Sequence, residues 1–214
     1  MNASEFTPIS YRTVLEPVHA QIVEKRSRFL TTLLPVDEEH KIHQAMVEIK
    51  ANHPEANHHC TAFRLKDGLE RASDDGEPSG TAGRPMLHVL QQQNLTDVLV
   101  IVTRYFGGTL LGAGGLVRAY TSSVTLALKE ATIVSYIAHA QYAFTVAYSD
   151  YDRAQHLLTK DTWILSAEFL ADVHLSLTVP SYDKATVEEI ISALTKSTEA
   201  ATSVSTCLLP DKRG

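Results

Sequence analysis

Five glycines fall within the eleven residues Tyr105–Gly115, directly after the run Asp97-Val98-Leu99-Val100-Ile101-Val102-Thr103. That run is too short for a helix and rich in β-branched residues, so it reads as a strand buried on both faces. Leu116–Leu128 follows as a helix, with Leu116, Ala119, Tyr120, Val124 and Ala127 on one face. A strand, a glycine-rich turn and a helix in direct succession leave the first-turn N–H groups unpaired and aimed at whatever approaches, an arrangement suited to anions. Arg104 at the strand end and Arg118 about one turn into the helix add charge and bidentate geometry for a phosphate. The glycines concerned are Gly107, Gly108, Gly112, Gly114 and Gly115. The same glycines would also serve a chain with no ligand at all, by permitting positive φ and close contact between helix and strand.

Upstream, Val14–Glu24 and Ser27–Val36 read as a hairpin around the polar bend Lys25-Arg26. Asp37 is expected to cap a helix carrying Ile42, Ala45, Met46 and Ile49, ended by Asn52-His53-Pro54. His59–Leu65 reads as a strand, Lys66–Arg84 as a long irregular stretch with four glycines, and Pro85 as the first residue of a short helix. After Thr132 the pattern changes. Residues 133–148, 162–169, 173–179 and 202–209 read as strands, and residues 151–160 and 182–194 as helices, giving βαββαβ, the order of a ferredoxin-like split βαβ domain. The expected fold is therefore α+β in two domains, residues 1–132 and 133–214, as the length of 214 residues allows.

Composition removes several classes. The net charge of −6 argues against coating nucleic acid by charge alone, although residues 1–134 hold 13 Lys+Arg against 15 Asp+Glu and keep their arginines available. The longest aliphatic run, Val98–Val102, is far below a membrane span, and the start carries no basic or apolar leader. Cys60 and Cys207 have no CxxC partner, which fits reduced thiols in a cytoplasmic protein.

A second loop carries candidate chemistry. Asp74, Asp75 and Glu77 stand beside Gly76, Gly80, Thr81 and Gly83 just before a helix start, a pattern that places carboxylates and free N–H groups in one concavity or forms a solvated turn, and Arg84 after them joins Arg104 and Arg118 as a candidate anion ligand. This stretch is no Walker loop, since it lacks the GK[ST] ending, and the Gly108-x-x-x-Gly112-x-Gly114 string of the other loop does not fit G-x-G-x-x-G, so neither a nucleotide triphosphate motif nor a nicotinamide cofactor is expected. On a strand, His58 and Cys60 point to one face and His59 to the other, so the triplet alone cannot hold a metal, and none is expected. A buried structural cysteine is the stronger reading of Cys60 than a nucleophile. The aromatics Tyr136, Tyr142, Phe144, Tyr148, Trp163 and Phe169 suit period-two packing under the C-terminal helices better than base stacking.

His58-His59-Cys60-Thr-Ala-Phe, the Ser73–Pro85 stretch SDDGEPSGTAGRP and the Val102–Tyr120 stretch VTRYFGGTLLGAGGLVRAY closely resemble the signature of the Impact/YigZ family, in spacing as well as in residues. The resemblance runs from about Val14 to Leu209. It implies an N-terminal module like one found in a small-subunit ribosomal protein and in translocating elongation factors, followed by the ferredoxin-like domain of bacterial members. Eukaryotic relatives restrain a kinase that shuts down translation initiation, using an additional N-terminal domain; the bacterial arrangement implies a more general translation or RNA-associated role. The resemblance thus points to a non-enzymatic regulator whose partner is a ribosome, an RNA or a translation factor, with no DNA sequence readout and no cofactor. The alternative is an enzyme acting on a phosphorylated or nucleotide-like small molecule, with Asp74, Asp75 or Glu77 as base and Arg104 as clamp.

Overall fold

The computed structural model describes residues 10–196 and 204–211. The chain divides into two compact units, Tyr11–Val134 and a unit built from Ser135 onward.

The first unit runs β1 (Tyr11–Val14), β2 (Val18–Glu24), β3 (Ser27–Pro35), α1 (Glu39–Asn52), β4 (His58–Arg64), β5 (Glu70–Ser73), α2 (Gly83–Gln92), β6 (Val98–Tyr105) and α3 (Ala113–Glu130). Its antiparallel sheet has the order β2-β3-β6-β4-β5. The β-branched run expected to be a buried strand is β6, at the centre. Val98, Val100 and Val102 enter a cluster with Phe29, Leu33, Met86, Leu90, Tyr120 and Val124, while Leu99 and Ile101 enter another with Ile42 and Phe63. Each fully buried aliphatic side chain of Val98–Val102 contributes about 1.5–3 kcal/mol. Outside the sheet, β1 is tied to the unit by Thr13 Oγ1 donating to the Asp97 carbonyl at 3.0 Å and by Leu15 N–H donating to the Thr132 carbonyl at 2.9 Å.

Three local expectations need correction. Asp37 does not cap α1, which begins after Glu38 with no side-chain cap; Asp37 is taken instead by Lys41 Nζ at 2.6 Å, one turn along. The stretch 66–84 is not irregular throughout, because β5 turns back along β4 and shortens the loop to residues 74–82. Pro85 is the third residue of α2 rather than the first: the helix starts two residues earlier because Asp74 supplies acceptors to the N–H groups of Ala82 and Gly83. The β2–β3 hairpin closes through a two-residue turn, Glu24 pairing with Ser27, in which Lys25 and Arg26 have φ of 46° and 69°. Such a turn ordinarily uses Asn and Gly; two long basic side chains there are strained.

The second unit comprises β7 (Ile133–Val146), α4 (Tyr151–Leu158), β8 (Ile164–Phe169), β9 (Val173–Pro180), α5 (Lys184–Thr195) and β10 (Ser205–Pro210). The expected βαββαβ order is present, and the antiparallel sheet order β10-β7-β9-β8 is that of the ferredoxin-like arrangement. Residues 202 and 203 of the expected last strand lie outside the described residues. Strand β9 alternates strictly, burying Val173, Leu175, Leu177 and Val179 against α4 and α5. Tyr142, Phe144 and Trp163 are core as expected, but Tyr148 and Phe169 are half exposed and touch each other at the end of the sheet.

Candidate functional site

The two glycine loops of the first unit meet. Glu77, at the end of a Ser73–Glu77 turn in which Asp75 and Gly76 take positive φ, drops its carboxylate beneath β6, leaving the side chain only 3% exposed. Its Oε1 accepts from Arg104 Nη1 at 2.6 Å and from the Tyr120 hydroxyl at 2.7 Å. Arg104, buried at the end of β6, also donates through Nη2 to Ser27 Oγ at 3.3 Å, and its guanidinium lies over the rings of Phe29 and Phe106. One buried ion pair thus staples β3, β6, α3 and the acidic loop together. The position 104 charge expected to clamp a phosphate is neutralised inside the protein, because Glu77 reaches it first.

Cys60 belongs to the same network. Its Sγ lies 3.2 Å from the Tyr120 oxygen and 3.0 Å from the Asp74 carbonyl, so its single S–H donates to one of them. Burial pushes the thiol up to about 12 despite the Tyr120 contact, which makes it inert at neutral pH. Tyr120 is likewise held protonated, by burial and by the neighbouring Cys60 and Glu77. His59 sits on the opposite face of β4, bonded to Thr103 Oγ1 at 3.2 Å, and burial lowers its pKa, so it stays neutral.

The remaining acidic groups are occupied by backbone. Asp74 accepts the N–H groups of Gly80 (2.7 Å), Gly83 (2.8 Å) and Ala82 (3.0 Å). Burial raises its pKa, but these N–H bonds and the Arg84 charge outweigh that and hold the carboxyl below its ordinary value. Asp75 Oδ2 accepts the His59 N–H at 2.6 Å. Asp74, which accepts three structural amides, is thereby a poor base for the enzyme alternative, whereas Asp75 keeps its Oδ1 open beside Lys50 Nζ at 3.6 Å. Thr81 closes its own turn, donating to the Pro78 carbonyl at 2.6 Å, and Gly83 lies flat on β5, where a Cβ would come within 2.7 Å of Ser73 N. Arg84 is exposed over Gly80 and Asp74, in a depression of its own. Among the described residues, no cluster of three His, Cys, Asp or Glu side chains could hold a metal ion.

The second loop is built by contact with the β2–β3 turn. A Cβ on Gly107 would lie 2.1 Å from the carbonyl carbon of Arg26, so only glycine lets the two loops close. Gly107 N–H donates to Ser27 Oγ at 3.1 Å, and Phe106 N–H to Asn57 Oδ1 at 2.7 Å. Gly108 and Gly112 take positive φ with open space around them, and Gly115 packs on Leu111. Gly112 ends the turn and α3 begins with exposed Ala113 and Gly114, the Arg118 guanidinium folding back towards Gly114. Two concavities result. One, of about 240 Å³, joins Lys25, Leu111, Gly115 and Arg118. The other, of about 400 Å³, lies between the loops and is lined by Asn57, His58, Glu77, Phe106, Leu110 and Leu111, among others. Residues that sequence reasoning did not select for this site are Ser27, Asn57, Lys25, Arg26 and Arg28; the polar bend was visible as a turn, but nothing local tied it to a loop eighty residues away.

Comparison with known proteins follows this geometry. The Impact N-terminal domain family matches residues 25–128, the segment that holds both loops. An IMPACT family member of Haemophilus influenzae is 38% identical over 190 residues, covering 85% of this chain and 91% of that one. The chain belongs to the IMPACT family. Its relatives include YigZ of Escherichia coli, 35% identical over 179 residues and covered over 85% of its length, and YvyE of Bacillus subtilis, 46% identical over 127 residues, of whose length this chain spans 58%. A crystal structure described as that of a hypothetical protein matches this IMPACT chain with a TM-score of 0.59 and 30% identity, over 96% of this chain and 98% of that one. Yih1, described as a two-domain translational regulator, aligns over 61% of the chain at 22% identity with a TM-score of 0.33, a likeness too slight to bear on the site.

Proposed function

We propose that this IMPACT protein is a non-enzymatic factor of the translation machinery that docks on RNA through its phosphates, at the face where the second glycine loop meets the β2–β3 turn. The observation that carries the reading is the convergence of Lys25 and Arg118 with the first turn of α3 in one concavity. Arg26 and Arg28 stand on the same hairpin, Arg28 stacked over the Tyr105 ring at 4.6 Å, against Glu24 as the acidic member of the rim. Exposed cations beside unpaired helix amides suit a phosphate without reading sequence. The strained turn at Lys25-Arg26 supports the reading further, since strain of this kind clusters where residues are held for a task. Translation enters through the family resemblance. Relative to the sequence expectation, the cation set shifts from Arg84, Arg104 and Arg118 to Lys25, Arg26, Arg28 and Arg118. Among the described residues no helix is long and apolar enough to cross a membrane.

Binding of a labelled single-stranded RNA, followed against salt, tests this. Each phosphate contact contributes a slope of about −0.7 in log K against log salt. Four contacts give about −2.8, and Lys25→Ala with Arg118→Ala should remove about 1.4 of it and sediment free of ribosomal fractions. Affinity and slope unchanged in that variant would overturn the reading.

A further inference from the structure

We propose that the cleft between the two glycine loops is a binding site for a guanine base, its ring N–H and amino group held by Glu77 and His58; this rests on the RNA reading above. Glu77 uses only one of its carboxylate oxygens. Oε1 accepts two hydrogen bonds, whereas among the described residues Oε2 accepts none: His58 Nε2 stands 3.8 Å away, beyond hydrogen-bond reach. The side chain is only 3% exposed, yet Oε2 is the oxygen left open to the cleft, free to accept from a donor that enters.

His58 supplies the second acceptor. Its Nδ1 lies 2.9 Å from the Asp75 carbonyl, which can only accept, so Nδ1 donates there and Nε2, turned towards Glu77, presents a lone pair in the tautomer that this bond selects. The cleft floor therefore offers two acceptors side by side. Guanine matches it with adjacent N1–H and N2–H donors; adenine and cytosine offer one amino donor next to an acceptor, and uracil one N–H between two carbonyls. A guanidinium from a protein partner has paired donors as well, but Arg104 already neutralises this carboxylate at 2.6 Å, and a second cation would meet the first. A neutral donor pair on a flat ring fits better.

The walls agree. Phe106 is 45% and Leu110 81% exposed, leaving apolar surface on which a ring can pack. Asn57, its Oδ1 occupied by the Phe106 N–H, presents its NH₂ at the rim as a donor for the guanine carbonyl. Leu111 borders both concavities, so the phosphate of a base seated in the cleft reaches towards Arg118 and the start of α3.

The test uses the full chain and fluorescence anisotropy. A labelled ten-nucleotide single strand carrying one guanosine should bind about tenfold more tightly than the same strand with inosine, which lacks only the amino group. Leu110→Ala and His58→Ala, at surface positions, should erase that difference while keeping the salt slope; Glu77→Gln should do so too, provided that it folds. Equal affinity for guanosine, inosine and adenosine strands with the salt slope intact would overturn the base site and leave the phosphate reading standing. If no strand binds, the RNA reading fails, and titration with GMP alone decides: perturbed His58 ring resonances, absent with IMP, sustain a guanine site filled by free nucleotide, whereas unperturbed resonances overturn it. Displacement of GMP by N-acetylarginine amide would overturn it in favour of a protein side chain.

Discussion

Replacing Arg104 by alanine should destabilise rather than merely disarm the N-terminal unit. The substitution removes the guanidinium that neutralises Glu77, leaving a carboxylate that is 3% exposed with, among the described residues, a tyrosine hydroxyl as its remaining close donor. Breaking a buried pair from one side costs about 3–5 kcal/mol, a large part of the 5–15 kcal/mol that holds an ordinary domain together. Ser27 Oγ loses a donor and the Phe29 and Phe106 rings lose the cation packed over them, so the upper half of the range applies. Urea unfolding followed by far-UV circular dichroism gives the number; the single tryptophan, Trp163, lies in the other unit and reports on that unit instead. The companion variant changes both partners, Arg104→Leu with Glu77→Leu, and should lose less than Arg104→Ala alone, because no charge is left stranded. A loss below about 1 kcal/mol in the single variant, or a double variant worse than the single, would refute the buried-pair account.

Other outcomes follow from the same geometry. Gly107→Ala should destabilise by well over 3 kcal/mol, since its Cβ would overlap the Arg26 backbone, whereas Gly108→Ala, in open space at φ +80°, should cost only about 1–2 kcal/mol; thermal melts that rank them the other way would show that the loop contact is not as described. Asp74→Asn should cost about 1–3 kcal/mol at pH 7, because an amide NH₂ then faces backbone donors. The wild-type carboxyl is held below its ordinary value, so its contribution is complete above about pH 4 and fades as pH falls through the folded value; stability curves for the two proteins should converge in acid, and parallel curves would refute the capping role. With a thiol reagent at pH 8, Cys207 should label in the native protein and Cys60 only after denaturation; rapid native labelling of two thiols would contradict the burial of Cys60.

Much of the architecture was legible because its causes are local. The run Val98–Val102 can only be a buried strand, and β9 alternates so regularly that its inner face can be read by eye. The C-terminal βαββαβ order followed from element lengths alone. The site was legible only in outline. Gly112 before α3 and the glycine at 107 announced a tight turn and an exposed helix start, but the partner of Arg104 could not be foreseen. Glu77 and Arg104 are 27 residues apart, and whether an arginine at a strand end faces a ligand or a buried carboxylate depends on the turn at Asp75-Gly76. The same holds for Asp37, whose residue type suits a cap and whose side chain is claimed by Lys41 instead. Pairings of this kind are settled by tertiary proximity, which no window of sequence contains.

The central strand β6 carries one more implication. Because its alternate side chains are committed to two separate apolar clusters, and its edges are bonded to β3 and β4 along their lengths, neither cluster can come apart without exposing the other. Amide protons of Leu99 to Val102 should therefore leave for solvent only through global opening of the unit and exchange last, all with one common free energy. Arg104 near the end of the same strand and Phe106 just after it line the cleft. Any occupant gripping that end would slow exchange throughout the strand, so a binding event at the rim would be reported by the most deeply protected amides in the molecule.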